Sequence, residues 1–308
     1  MPSDPDGIAL LGLDFAALDL AAVLRLLGER PAGAPFAAVV TPNADHLVRL
    51  AQRPDLLPLY QGAWLRLLDS RVVARVARGF GLAAPPVVPG SDLTAALFGQ
   101  VIRPEEPVTV LGGEPAVLAA VQARYGLTRL AHHNPPMGFD RDPEAIAHAI
   151  GFIEANPARF TFLAVGSPRQ EVVAAALAKR GKATGVGLCI GASLLFLAGQ
   201  ERRAPGLVQR AGLEWAWRMA QDPRRLVARY WGNTAVIRLL RQEAKARRGL
   251  RKQRAALAQA PRRARGLRCR RGSAPAAGSP PRSGHGTAWR RSRSPPPLPA
   301  GSAAGHRR

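Results

Sequence analysis

From Ile8 to Ala198 the chain repeats one pattern. A short apolar run ends abruptly in small or polar residues, and a longer stretch with apolar positions at helical spacing follows it. Apolar runs fall at 8–13, 36–41, 65–68, 108–111, 127–131, 160–165 and 184–190. Helical patterns fall at 18–28, behind Asn43 as far as residue 50, and at 71–80, 93–101, 115–125, 143–155, 170–180 and 191–198. Strands that alternate with helices in this way pair in parallel, because each crossover returns the chain to the same end of the sheet. The expected fold class is therefore α/β, a mostly parallel sheet with helices on both faces.

After Gly199 the strand pattern stops. Residues 202–241 interleave arginines with Trp215, Trp217, Tyr230 and Trp231. Such a segment reads either as an amphipathic appendage resting on an anionic surface or as helices packed on the sheet domain through their tryptophans. Charge then separates the end of the chain from the rest. Roughly 19 basic residues and one acidic residue follow Leu240, so about +18 of the formal charge of +23 lies there. From residue 249 the Arg/Pro/Ser-rich composition predicts a disordered tail, because little apolar surface is present to offset the entropy of ordering. The division expected is 1–200, 201–248 and 249–308.

Two cysteines, Cys189 and Cys269, supply neither a disulfide framework nor a metal-ligand spacing. The first residues lack a basic-then-apolar leader pattern, and no run reaches the length of a membrane span. The expected location is cytoplasmic, peripheral on the inner face of the cell membrane. A nucleic-acid binder using the basic tail would need aromatic residues among the charges, yet after Trp231 only Trp289 remains.

The chemistry-bearing residues sit where apolar runs end, which in an open parallel sheet faces the ligand crevice. Thr41-Pro42-Asn43 places a hydroxyl and an amide there, and the same residue types also make a turn and a helix cap. Asp69 ends the next run, as either a general base or a cap. Gly112-Gly113 before a helix lets backbone approach a phosphate. Gly166-Ser167-Pro168-Arg169-Gln170-Glu171 brings an amide, a cation and a carboxylate to a similar turn. Asp140-Arg141-Asp142 has the spacing of a carboxylate pair for a divalent cation. Asp142-Pro143-Glu144, however, is what a helix start requires, so no metal site is assigned. His132 and His133 open an irregular segment after the 127–131 run and are read as structural or solvent-exposed.

Taken in order, these segments resemble the WecG/TagA/CpsF family of bacterial glycosyltransferases. The matching pieces are Thr41-Pro42-Asn43-Ala44-Asp45-His46, Leu68-Asp69-Ser70, Gly90-Ser91-Asp92-Leu93, Leu111-Gly112-Gly113 and Asn134-Pro135-Pro136-Met137-Gly138-Phe139. They continue through Gly166–Glu171, Gly191-Ala192-Ser193, Arg203-Ala204-Pro205, Gly212-Leu213-Glu214-Trp215 and Asp222-Pro223-Arg224-Arg225-Leu226. The resemblance implies a Rossmann-like catalytic domain, a C-terminal membrane-docking helical appendage and an inverting transfer that needs neither metal nor cofactor. The sugar would pass from a UDP-sugar (N-acetylmannosamine, its uronic acid, or glucose type) to a polyprenyl-diphosphate-linked saccharide in cell-surface polysaccharide synthesis.

By the same resemblance Asp69 is the general base and Thr41 a neighbouring active-site hydroxyl. Asn43 and Gln170 would line the donor site, and Arg218, Arg224 and Arg225 would come from the appendage; Gly112 and Gly113 join the substrate-binding residues on the phosphate reading given above. The expected partners are the donor, the lipid-linked acceptor, the cytoplasmic membrane surface and, as an option, a second copy of the chain; nucleic acid is not among them. Two positions depart from the family pattern: Ser70 stands where glycine is usual, and Leu195 where an aspartate is. The second supports the rival reading of an inactive membrane-associated scaffold with the same fold.

Overall fold

The computed structural model describes residues 7–199 and 234–259, with side chains to 255. Among these residues, six parallel strands form one sheet. In chain order the strands of the molecule are β1 (Ile8–Leu10), β2 (Leu13–Phe15), β3 (Ala37–Val40), β4 (Leu65–Arg66), β5 (Val108–Leu111), β6 (Leu130–His133), β7 (Phe160–Leu163) and β8 (Val186–Cys189). The sheet runs β4-β3-β8-β7-β5-β6. The α/β class read from the alternation is what the structure has.

Helices α1 (Leu20–Glu29), α2 (Ala44–Gln52), α3 (Leu57–Gln61), α4 (Arg71–Gly79), α5 (Gly90–Gln100), α6 (Pro115–Tyr125), α7 (Pro143–Ala155), α8 (Arg169–Arg180) and α9 (Ser193–Leu197) cover the sheet, and α10 (Ala235–Gln259) joins them. Strand side chains alternate between two cores. Val40, Leu111, Leu163 and Cys189 meet α2, α3, α4, α7, α8 and α10 on one side. Val39, Val110, Phe162 and Leu188 meet α1, α5, α6 and α9 on the other. The central strands are buried on both faces, which explains their unbroken apolar runs.

Several local expectations are corrected. Residues 8–13 do not form a strand of the main sheet. Leu11 and Gly12 both take positive φ, 49° and 81°, and fold β1 and β2 into an antiparallel hairpin through a two-residue turn. The strand expected at 127–131 lies at Leu130–His133, so both histidines belong to it rather than to an irregular segment. A short helix, α3, fills the interval between α2 and β4 and buries Tyr60.

The tail boundary at 248 falls inside α10, which stays helical to Gln259. Arginine, lysine, alanine, leucine and glutamine are good helix formers, so composition alone understated order across 249–259. Residues 201–233, most of the expected appendage, and 260–308 of the tail lie outside the described residues. Among the described residues no helix is long and apolar enough to cross a membrane.

α10 is built into the core. Val236, Leu240 and Ala244 are buried against α2 and α4. Glu243 accepts the Leu11 N–H at 2.9 Å, Arg247 donates to the Ala9 carbonyl at 2.7 Å, and Arg248 donates to the Phe80 carbonyl at 2.8 Å. The helix therefore clamps the hairpin turn to the sheet domain. Leu240→Ala is expected to lower stability by about 2–4 kcal/mol, because the side chain is fully buried and its loss leaves a cavity. Urea denaturation checks this; an unchanged midpoint would show that α10 does not share the core.

Candidate active site

Parallel pairing places every strand's C-terminal end on one edge, and the residues singled out in the sequence collect there. The Leu67 N–H donates to the Val40 carbonyl and the Asp69 N–H to the Pro42 carbonyl, both at 3.0 Å. These bonds carry the β3–β4 pairing past the strand ends and set half-buried Asp69 beside the Thr41–Asn43 turn. The segment entering α5 then runs along β4, through the Leu68–Val87 bridge and a 2.9 Å bond from the Val88 N–H to the Leu68 carbonyl. It brings Gly90, first residue of α5, against Thr41. A β-carbon on Gly90 would stand 2.7 Å from Thr41 Oγ1, so a side chain there would push into the hydroxyl.

Thr41 also faces the neighbouring strand, with Oγ1 3.5 Å from the Cys189 carbonyl. Asn43 caps α2: its Oδ1 accepts from the Asp45 and His46 N–H groups at 3.0 and 3.3 Å. The cap reading of this residue holds, and it directs the amide oxygen to the helix.

Gln170, 3% exposed, is held at both ends. Its Oε1 accepts from the Gly191 N–H and its Nε2 donates to Glu171 Oε1, each at 3.0 Å. It thereby fixes the turn after β8 that borders Thr41. Glu171 is 2% exposed. Burial pushes its carboxyl above the ordinary range, opposed by Gln170, Ser167 and Arg49. Arg49 Nη1 donates to Ser167 Oγ at 2.9 Å, Ser167 pairs with the Tyr60 hydroxyl at 2.9 Å, and Arg49 bridges to Asp45 at 2.7 Å. Burial, then Glu171, raises the Tyr60 phenol, and burial followed by Glu171 likewise raises the Cys189 thiol. This partly buried network ties α2 and α3 to the turn after β7. Sequence reasoning missed Arg49 and Tyr60; for Tyr60 the available signal was Pro58 in the first turn of α3.

Gly112 and Gly113 end β5, three inter-strand steps or about 14 Å from β3. They do not touch Thr41 or Asp69, and only an extended ligand could span both places. Positive φ values of 92° and 83°, with Ala164 and Leu118 under 3 Å from where β-carbons would stand, explain the glycines. His132 on β6 places Nε2 3.2 Å from the Gly112 carbonyl and 3.0 Å from that of Gly113. His133 packs edge-on against His148. Burial, then His148 and His132, lowers its pKa. Asp142 caps α7 with Pro143 in its first turn, as its sequence context suggested.

The model of the Glycosyl transferase WecG/TagA/CpsF family matches residues 8–249. The chain belongs to that family. It is a glycosyltransferase by that membership, and the match takes in α10 as far as residue 249. Leu195, where the family resemblance leads one to look for aspartate, lies in α9 and packs partly buried on the second core. Ser70 keeps its turn by capping α4, accepting the Val73 N–H at 3.2 Å. Arg218, Arg224 and Arg225 lie outside the described residues.

Because burial raises the Glu171 carboxyl, there is a pH window above the ordinary glutamate range in which the folded state holds a proton that the unfolded chain has released. The contribution of this group is greatest below the ordinary glutamate range and falls as pH rises toward the folded value. Glu171→Gln should therefore gain stability relative to the native chain as pH rises. Denaturation midpoints across pH 4–8 check it; a difference independent of pH would contradict the buried-acid assignment.

Proposed function

We propose that the chain transfers a sugar from a UDP-sugar to a polyprenyl-diphosphate-linked saccharide in cell-surface polysaccharide synthesis, with inversion and without a metal. Family membership supplies the reaction class. The observation that carries the residue assignment is the placement of Asp69 beside Thr41 at the C-terminal edge, under the first turn of α5. A carboxylate there can take the proton of an acceptor hydroxyl as the oxygen attacks the anomeric carbon. The bond to the diphosphate breaks, its electron pair stays on the departing phosphate oxygen, and UDP leaves.

The charge developing on that oxygen needs donors. Guanidinium forks and backbone N–H groups at helix starts are the available kind, and the reading gives this role to Arg218, Arg224 and Arg225 of the membrane-docking segment. Supplying them only at the membrane would restrain hydrolysis of the donor in solution. Thr41 would orient the acceptor or donor, and Asn43 would offer its amide nitrogen, since its oxygen caps α2. Gly112 and Gly113 would receive the diphosphate end of the donor. Gln170 supports the pocket through its bond to Gly191.

Asp69→Asn is expected to lower acceptor-dependent UDP release by about 10²–10⁴-fold, the usual worth of a general base, while thermal unfolding stays within a few degrees of native. Turnover retained in that variant would remove Asp69 as the base. EDTA should leave the native rate unchanged.

A further inference from the structure

A crevice opens where helices leave neighbouring parallel strands for opposite faces. Between β5 and β7 the structure has such a place, for α6 leaves β5 for one core and α8 leaves β7 for the other. Arg169, the first residue of α8, lies across it. Its Nη1 reaches Met137 Sδ at 3.2 Å, and Met137 belongs to the loop that follows β6. In the order β7-β5-β6, a contact from the turn after β7 to the loop after β6 passes over the end of β5. That end is Gly112-Gly113. Nη2 rests against Gly166, 3.4 Å from where a β-carbon would stand.

Two features make this arginine available. Among the described residues no carboxylate pairs with it, whereas Arg49, Arg53, Arg159, Arg180 and Arg247 each have one. A thioether is a weak acceptor for a guanidinium, so the contact with Met137, which is 89% exposed, is readily exchanged for a stronger one. Opposite it, His132 holds the carbonyls of Gly112 and Gly113 toward β6. Peptide planarity turns the N–H groups of Gly113 and Glu114 the other way, and among the described residues neither has a backbone acceptor.

We propose that Arg169 is a donor-binding residue: it closes over the Gly112-Gly113 turn and grips the diphosphate of the nucleotide sugar from the side opposite α6. This rests on the reading of the donor as a nucleoside diphosphate sugar. It places one cation for that group inside the sheet domain, in addition to those assigned to residues 201–233. Arginine matches the role because its planar fork can hold two phosphate oxygens at once, which lysine cannot.

The test uses the full chain and calorimetric binding of UDP, pyrophosphate and uridine. Arg169→Ala should weaken UDP and pyrophosphate at least tenfold and uridine less than twofold, with Arg169→Lys between native and alanine. The substitution is at a partly exposed site, so the melting temperature should hold. UDP affinity unchanged in Arg169→Ala overturns the proposal, as does an equal loss for uridine, or a native chain that binds neither UDP nor pyrophosphate. If Asp69→Asn still transfers sugar while Arg169→Ala loses UDP, the base assignment fails and the diphosphate seat stands.

Discussion

The parallel pairing of β3 to β8 governs everything else in the molecule. Parallel strands need crossovers, the crossovers put helices on both faces, and the faces can then be apolar throughout. The polar groups that remain are driven to one edge, where the strands end and the backbone has no further ladder to join. Thr41, Asp69, Gly112 and Gly191 share that edge because they follow β3, β4, β5 and β8. Side chains on rigid strand ends of this kind keep their spacing without help from a ligand.

Buried polar contacts then hold the edge in register. Arg49, Ser167 and Tyr60 lock α2 and α3 to the turn after β7, and Glu171 and Gln170 lock that turn to Gly191 after β8. Tyr60, Gln170 and Glu171 are buried, where an unmet hydrogen bond is costly, and Arg49 and Ser167 are partly so. The network therefore specifies one arrangement of three strand ends. Glu171 is its buried carboxyl, with one oxygen that meets no donor at hydrogen-bonding distance among the described residues.

Much of this could be read from residues alone, and the limits have physical causes. The βα alternation revealed the class because fully buried strands cannot hide their apolar runs. The closeness of Asp69 to Thr41 was implied by the family resemblance alone, and its physical cause is that β3 and β4 pair directly. The distance from Thr41 to Gly112 was not legible, since strand order in a sheet with long crossovers is a property of the assembled whole. The Leu11-Gly12 turn was passed over because leucine at positive φ is uncommon, and Glu243 anchors it from 232 residues away. His132 looked like part of a loop until its strand was placed beside β5, and only then did its hold on the Gly112 and Gly113 carbonyls become visible.

The proposal that joins these observations is a single displacement at an anomeric carbon, with a carboxylate at the sheet's edge as its base. The stereochemistry of the product reports on that directly. The native chain, incubated with a UDP-sugar of defined anomeric configuration and a polyprenyl-diphosphate-linked acceptor, should yield a glycoside of the opposite configuration by proton NMR. Retention of the donor's configuration would contradict a single displacement, and with it the role given to Asp69.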